Sequence, residues 1–348
     1  MDSDTILADA AASSKAFWDP IIRAGLKTAM IQAGLELQVW AKIAAGYRTA
    51  KDLAQHEGWD LTGTRALLDA LVAIDLLDKD ERGYRLVSRA EQTLLPDGPD
   101  YWGLEVLNNW GVLGHSQLAV AIRTGKRPLI EDVAGETWAA GWATEHRVEA
   151  PDLVVPQSKW ARVASLLNAA GIEARDGLRV LDVACGLGVI SLALAQQHGG
   201  VHATLMDRQP SLDLARALAQ KLGLSQQITM IPGDMQTVDY GRNRFDVVWF
   251  GYSLMFFGPE DTVNLLRKAH AALVSGGTLV INQYITDDAR RKRKEALINA
   301  LWLYASTAQG DAYTTSECQS FLEQAGFVNP LEREMTEIEE VLIRATRP

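Results

Sequence analysis

The stretch Val180-Leu181-Asp182-Val183-Ala184-Cys185-Gly186-Leu187-Gly188 constrains the fold of this chain more than any other. It reads as a short apolar strand, then an acidic residue and a glycine-rich turn, with the helical run Val189 to His198 following at once. Two glycines at i and i+2 let the backbone approach a ligand that a side chain would push away. The start of the helix offers unpaired N–H groups and the positive end of its dipole. Gly-x-Gly by itself is also an ordinary structural turn, but its neighbours favour binding. Asp207 ends the next apolar run, Val201 to Met206, at the spacing where an acid on a sheet edge can hold both hydroxyls of a ribose. Gly233-Asp234-Met235 then ends a further strand-like run, Ile228 to Ile231. Sites of this kind in this order describe a nucleoside pocket along the carboxyl edge of a parallel sheet.

These motifs resemble the class I S-adenosylmethionine (SAM) methyltransferases, most closely their small-molecule O-methyltransferase branch. The glycine motif of that branch stands here as Asp182-x-Ala184-x-Gly186-x-Gly188, with alanine for the first glycine. The runs Phe245 to Phe250 and Gly276 to Asn282 match later strands of the sheet. A helix near Thr315 to Ala325, then Gly326-Phe327 and a last strand near Glu340 to Ala345, match its closing elements. The resemblance implies an α/β, Rossmann-like methyltransferase sheet preceded by a mainly helical winged-helix domain. Residues 1–95 would form a winged-helix dimerisation domain, 96–170 a helical linker and lid over the acceptor pocket, and 171–348 the SAM-binding catalytic domain. It also implies that Gly186 and Gly188 lie against the methionine part of SAM, that Asp207 binds the ribose, and that Asp234 binds the adenine amine, with Met235 packed on the ring. Asp182, Ala184, Arg208 and Gly251 complete the implied cofactor-binding set.

At 348 residues the chain is long enough for two domains. With 47% hydrophobic and 22% charged residues it has the composition of a folded soluble protein rather than a disordered one. No run of about 18 uncharged apolar residues suggests a membrane span. Two cysteines, Cys185 and Cys318, give no disulfide framework, and the acidic start Met1-Asp2-Ser3-Asp4 is unlike a secretory signal. The expected setting is the cytoplasm. A formal net charge of −10 argues against a nucleic-acid partner. The basic run Arg290-Arg291-Lys292-Arg293-Lys294 reads as a solvated helix start or loop ahead of the amphipathic stretch Ala296 to Tyr304.

The first hundred residues carry their own pattern. Residues 15–45 are helix-like and so rich in Ala, Leu and Ile that burial against another subunit is expected. Thr49 is placed to cap a following helix, and a second helix is expected from about Thr62 to Leu77. Asp78 to Leu86 reads as strand, turn, strand. Helix, helix and wing commonly serve DNA binding, but the second helix carries Arg65, Asp69 and Asp75 and is not basic. A homodimerisation module fits better, and the methyltransferase branch uses the module that way. Between Pro99 and Ala170 lie Trp102, Trp110, Trp138, Trp142 and, near the end, Trp160, five of the ten tryptophans. The resemblance sets this region over the acceptor, where Trp110 and His115 would face a small-molecule substrate.

Methyl transfer from a sulfonium is an in-line displacement that needs alignment and exclusion of water. Relatives that methylate phenols place a histidine base after the fourth strand of the sheet. Here that segment is Tyr252-Ser253-Leu254-Met255-Phe256-Phe257. Met255 takes the base position, and a thioether cannot accept a proton at neutral pH. None of the six histidines obviously replaces it, although His115 and His146 lie in the lid-like region. No metal site is suggested by ligand spacing. The expected pocket is apolar and aromatic, formed by Trp249, Phe250, Tyr252, Met255, Phe256 and Phe257, with Phe256 toward the substrate. Tyr252 is the group expected to touch the reacting centre. Such a pocket suits a nucleophile that needs no strong base. It also suits intramolecular cyclisation of SAM to azetidine-2-carboxylate with loss of methylthioadenosine, or a non-catalytic or pericyclase-like SAM-binding protein.

Overall fold

The computed structural model describes residues 20, 24–25, 27–103, 106, 122–124, 155, 157–335 and 340–348. The chain divides into two compact units, Met1–Val112 with Val154–Pro156, and Leu113–Leu153 with Gln157–Pro348. Among the described residues no helix is long and apolar enough to cross a membrane.

In the first unit, residues 27–36 are helical and Gln38 turns the chain in the left-handed conformation before α1 (Val39–Ala44). Trp40 is buried there, and a Cβ at Gly34 would meet its ring at 2.6 Å. Thr49 caps α2 (Ala50–Glu57) as expected, its hydroxyl accepting from Asp52 N at 3.0 Å. Helix α3 (Leu61–Ala73) is shorter than the expected helix. Asp75 follows it in a left-handed turn (φ 58°) and so is not part of the helix face. A hairpin of β1 (Asp78–Asp80) and β2 (Gly83–Arg85) forms the wing, and α4 (Ser88–Thr93) follows. Asp69 of α3 accepts hydrogen bonds from Lys79 Nζ and the Tyr84 hydroxyl, both at 2.7 Å, so its charge ties helix to wing.

The second unit opens with α5 (Gln157–Ala170), followed by β3 (Arg179–Val183), α6 (Val189–Gln197), β4 (His202–Asp207), α7 (Gln209–Lys221) and β5 (Ile228–Pro232). Then come β6 (Phe245–Gly251), α8 (Pro259–Ala272), β7 (Leu273–Gln283), α9 (Lys294–Ser306), α10 (Thr315–Gln324), β8 (Val328–Met335) and β9 (Glu340–Thr346). The sheet order is β5-β4-β3-β6-β7-β9-β8. Strands β5 to β7 in that order pair in parallel, and β9 and β8 join antiparallel. The inner strands are apolar on both faces because both are covered. Val180, Trp249, Val280 and Leu342 pack against α5 and α6 through Val163, Leu167 and Leu194. Leu181, Val248, Phe250 and Ile343 pack on the other face against α8 and α10 through Leu265, Leu266 and Leu322. Each such side chain contributes roughly 1.5–3 kcal/mol on burial.

The strands expected from the sequence form with ends shifted by a few residues at most. Strand β8 was not expected: it is an exposed edge strand with Pro330 and three charged residues, and so lacks an apolar signature. The basic run forms the expected exposed loop and helix start, except at one residue. Arg293 is mostly buried and pairs with Glu332 at 2.6 Å, while Arg290 pairs with Asp311 at 3.3 Å. Helix α10 begins with a reciprocal capping box, Thr314 accepting from Glu317 N at 3.2 Å and Glu317 accepting from Thr314 N at 2.7 Å. Thr314→Ala removes one half of it and is expected to cost about 1 kcal/mol. Urea unfolding with an unchanged slope and a lower midpoint would show that loss.

Candidate active site

The turn after β3 is built from left-handed residues. Ala184 (φ 53°), Gly186 (φ 55°) and Gly188 (φ 68°) alternate through it. An alanine in this conformation costs on the order of 1 kcal/mol relative to glycine, so the loop carries strain at the one motif position where glycine is replaced. Gly188 has a second constraint, since a Cβ there would meet Leu205 Cδ1 at 2.8 Å. Gly188 is also the N-cap of α6 and supplies no side-chain acceptor, so the first-turn N–H groups of that helix point out at the carboxyl edge of the sheet.

Asp207, the last residue of β4, joins that turn to the neighbouring strand. Its carboxylate accepts from Gly186 N at 2.8 Å and from Arg208 N at 2.7 Å. Burial raises its pKa against the pull of those two bonds. Beyond β5, Asp234 accepts from Arg208 Nη2 at 2.8 Å and from Gln236 N at 2.7 Å. The Met235 carbonyl accepts from the Tyr240 hydroxyl and from Lys268 Nζ, both at 2.8 Å. Asp182, Ala184, Gly186, Gly188, Asp207, Arg208, Asp234 and Met235 thus stand together along the ends of β3, β4 and β5.

On the other side of β3 the edge is polar in a way the sequence did not suggest. Gly251 ends β6, and Tyr252 follows in the left-handed region (φ 51°), its N–H donating to the Asn282 carbonyl at 2.9 Å. The Tyr252 hydroxyl accepts from Arg162 of α5 and also hydrogen-bonds Glu340, the first residue of β9. Arg162 donates to Glu340 as well, and its guanidinium lies over the Tyr252 ring, 5.0 Å from the centroid. The other Glu340 oxygen accepts from Asn282 Nδ2 at 3.2 Å, and Asn282 Oδ1 accepts from Trp249 Nε1 at 2.7 Å. Burial pushes the Tyr252 phenol far above its ordinary value, against the opposing pull of Arg162. Three buried polar atoms here have no partner among the described residues: Arg162 Nε, Ser253 Oγ and Gln283 Oε1. Arg162, Asn282, Glu340 and Gln283 were absent from the sequence-based candidates. The one available signal was a lone acid or amide bordering an apolar run, which sequence alone does not separate from a strand end.

Met255 sits in a 3-10 turn, Leu254–Phe256, and is 5% exposed. Its carbonyl accepts from Asp311 N at 3.0 Å, and the Phe257 carbonyl accepts from the Tyr313 hydroxyl, so the 307–313 segment holds the turn in place. Not all of the aromatic side chains expected in a pocket are free to line one. Trp249 and Phe250 are fully buried on opposite faces of the sheet and belong to its two cores, because an interior parallel strand buries both faces. Phe257 packs against one of those cores. Tyr252 and Phe256 stay partly exposed, and Phe256 meets Trp302 edge to face at 6.1 Å. Of the described histidines, His270 packs on Phe327, His198 and His202 lie at the amino end of β4, and His56 stacks on Tyr47 in the first unit. Trp110, His115 and His146 lie outside the described residues.

Asp182 is 3% exposed and accepts from Ser191 Oγ at 3.0 Å. Burial pushes its pKa up to about 7, the Ser191 bond opposes this, and the nearby Asp207 charge adds to it. A carboxyl raised in the folded state holds its proton there after the unfolded chain has lost it. Its contribution is therefore fully favourable below about pH 3.8 and declines until about pH 7, by on the order of 4 kcal/mol at most. Asp182→Asn keeps an acceptor for Ser191 without the charge. Thermal melts at pH 5.5 and pH 8 are expected to differ less for Asp182→Asn than for the wild type; an unchanged difference would count against this account.

Comparison with known proteins agrees with this geometry. Residues 180–277 match a methyltransferase domain family, and residues 21–95 match the O-methyltransferase dimerisation domain. The L-tyrosine C(3)-methyltransferase of Streptomyces lavendulae is 30% identical over 172 residues, which are 49% of this chain and 46% of that protein. The tetracenomycin polyketide synthesis 8-O-methyl transferase TcmO of Streptomyces glaucescens is 25% identical over 86% of this chain and 87% of its own. A crystal structure of a protein from Nostoc punctiforme superposes with a TM-score of 0.77 at 26% identity, covering 95% of this chain and 98% of that one. With the glycine turn, the strand-end acids and the sheet order in place, the chain belongs to the class I SAM-dependent methyltransferases, in their small-molecule O-methyltransferase branch.

Proposed function

We propose that this enzyme transfers the methyl group of SAM to a small polar acceptor whose nucleophile needs no histidine base at the end of β6. What supports this reading is Met255, which is buried and held by its backbone and which the resemblance sets where the branch has its base. Ring carbons activated by a neighbouring hydroxyl, amines, and phenols that arrive ionised all meet that requirement. The similarity to an enzyme that methylates C(3) of L-tyrosine supports a carbon nucleophile among these. The unpartnered Ser253 Oγ and Gln283 Oε1 support a polar acceptor, since an unpaired buried polar group costs about 1–3 kcal/mol unless a ligand pairs it.

The residues present fit SAM. Asp207 has two backbone donors but about four acceptor sites, which leaves capacity for ribose hydroxyls. Gly186 leaves the turn open for the methionine part, and Gly188 lets the turn pack on Leu205 at the uncapped start of α6, beside the same arm. Asp234 would receive the adenine amine and Met235 would pack on the ring, with Asp182, Ala184, Arg208 and Gly251 shaping the rest. SAM supplies a sulfonium-activated methyl group for in-line displacement. Phe256, Trp110 and His115 would contact the acceptor. We assign Tyr252 to holding the loop after β6, because its hydroxyl is engaged by Arg162 and Glu340 and one face of its ring by the guanidinium. We further take residues 1–95 as the dimerisation domain of a homodimer, 96–170 as the linker and acceptor lid, and 171–348 as the catalytic domain.

The test is incubation with SAM and a panel of phenols, aromatic amines and aromatic amino acids, L-tyrosine included, followed by mass spectrometry. S-adenosylhomocysteine and a methylated acceptor are expected, with neither formed from SAM alone. Methylthioadenosine from SAM alone would mean cyclisation of SAM instead. Met255→Leu conserves volume and is expected to keep turnover within about tenfold of wild type, since such swaps cost under about 1.5 kcal/mol. A loss of a thousandfold would place Met255 in the chemistry. Light scattering at micromolar concentration is expected to give a dimer, and a monomer would refute the role given to residues 1–95.

A further inference from the structure

We propose that Glu340 is a positioning residue of the SAM pocket, acting through Arg162, Tyr252 and Asn282 to fix the loop at Gly251–Tyr252; this rests on the SAM site proposed above. Glu340 is 1% exposed and begins the antiparallel strand β9, yet its side chain stands at the carboxyl edge of the parallel strands. One of its oxygens holds Arg162, which in turn holds the Tyr252 hydroxyl. The other holds Asn282 Nδ2. Asn282 holds the loop through its carbonyl, which accepts from Tyr252 N, and is itself held to β6 through its Oδ1, which accepts from Trp249 Nε1. A Cβ at Gly251 would touch Asn282 Oδ1 at 3.4 Å, Trp249 Nε1 at 3.7 Å and Ile190 Cδ1 at 3.8 Å. The loop is therefore seated between this polar chain and the first turn of α6.

Two arguments give the chain a functional reason. Glu340 is buried while the Arg162 side chain is 32% exposed, and a carboxylate buried against such a partner is seldom worth more to stability than apolar atoms of the same volume, so stability alone does not account for the charge at this place. Tyr252 also needs external restraint, because a bulky residue at positive φ is unfavourable and persists only where its surroundings hold it. The location separates this role from adenosine binding. Glu340 on β9 lies four strands from Asp207 on β4, about 19 Å at the usual strand spacing. Gly251 and Ile190 lie beside the glycine turn, where the methionine arm would run.

The test compares two probes by calorimetry: S-adenosylhomocysteine, which carries the amino-acid arm, and 5′-methylthioadenosine, which lacks it. Glu340→Gln keeps volume, removes the charge and turns one of the two acceptor oxygens into a donor, so it can serve Arg162 or Asn282 Nδ2 but not both. It is expected to weaken S-adenosylhomocysteine about tenfold while leaving methylthioadenosine within about twofold. Equal weakening of both probes would show a general structural role and overturn the proposal, as would no change in either. Should Glu340→Gln fail to fold, Glu340→Asp keeps the charge and shortens its reach. That variant is expected to show the same selective loss, about threefold, and an equal or absent loss overturns the proposal there too. Asp207→Ala is measured alongside and is expected to weaken both probes. If it weakens neither, the SAM site itself is wrong; if it weakens both while Glu340→Gln behaves as wild type, only the role of Glu340 fails.

Discussion

The parallel pairing of β3 with β4 on one side and β6 on the other is the constraint on which the rest of the second unit depends. It makes β3 the strand from which the sheet order departs in both directions. The helices that follow β3 and β6 leave from its carboxyl end, and the turns there open a crevice. Asp182 and Asp207 end up close enough for their charges to raise each other's cost, and Gly186 N finds the Asp207 carboxylate. A register shift between β3 and β4 would move every one of these groups to the wrong height on the edge.

The same edge gathers a large share of the buried charge in the unit. Asp182 is held by Ser191, Asp207 by two backbone N–H groups, and Glu340 by Arg162 and Asn282. Burying charge this way costs free energy that the two apolar cores on the sheet faces offset. Sites that bind and process a ligand commonly carry such cost, because donors and acceptors fixed before binding need no rearrangement when the ligand arrives. The left-handed Ala184 and Tyr252 belong to the same pattern, with strained backbone just beyond β3 and β6 at the edge where the SAM pocket is proposed.

The two units use charge differently. In the first, Asp69 bridges α3 to Lys79 and Tyr84 of the wing, with its carboxyl held below the usual range by those bonds. The helix that in a DNA-binding module would present cations to phosphates instead spends an acid on its own wing. This agrees with the match of residues 21–95 to a dimerisation domain.

What the sequence determined by itself was local and periodic. The run from Val180 to Gly188 specified a strand, a turn and a helix start within nine residues, so the glycine turn and its helix were readable without tertiary information. The spacing of Asp207 behind an apolar run was readable for the same reason, since a parallel strand buried on both faces ends where polarity begins, and Asp234 follows the shorter apolar run of the edge strand β5. Thr49 as a cap followed from its hydroxyl ahead of a helical pattern. The tertiary structure decided the rest. Whether Trp249 and Phe250 face a pocket or a core depends on which helices cover the sheet, and an apolar run in a strand reads alike in both cases. Strand β8 is made by pairing with β9 and has little apolar pattern of its own. Arg162 and Glu340 stand 178 residues apart in the chain and meet beside Tyr252 because α5 packs on the sheet next to β9. No local pattern encodes that meeting, since an isolated arginine on a helix and an isolated acid ahead of a strand are ordinarily solvated.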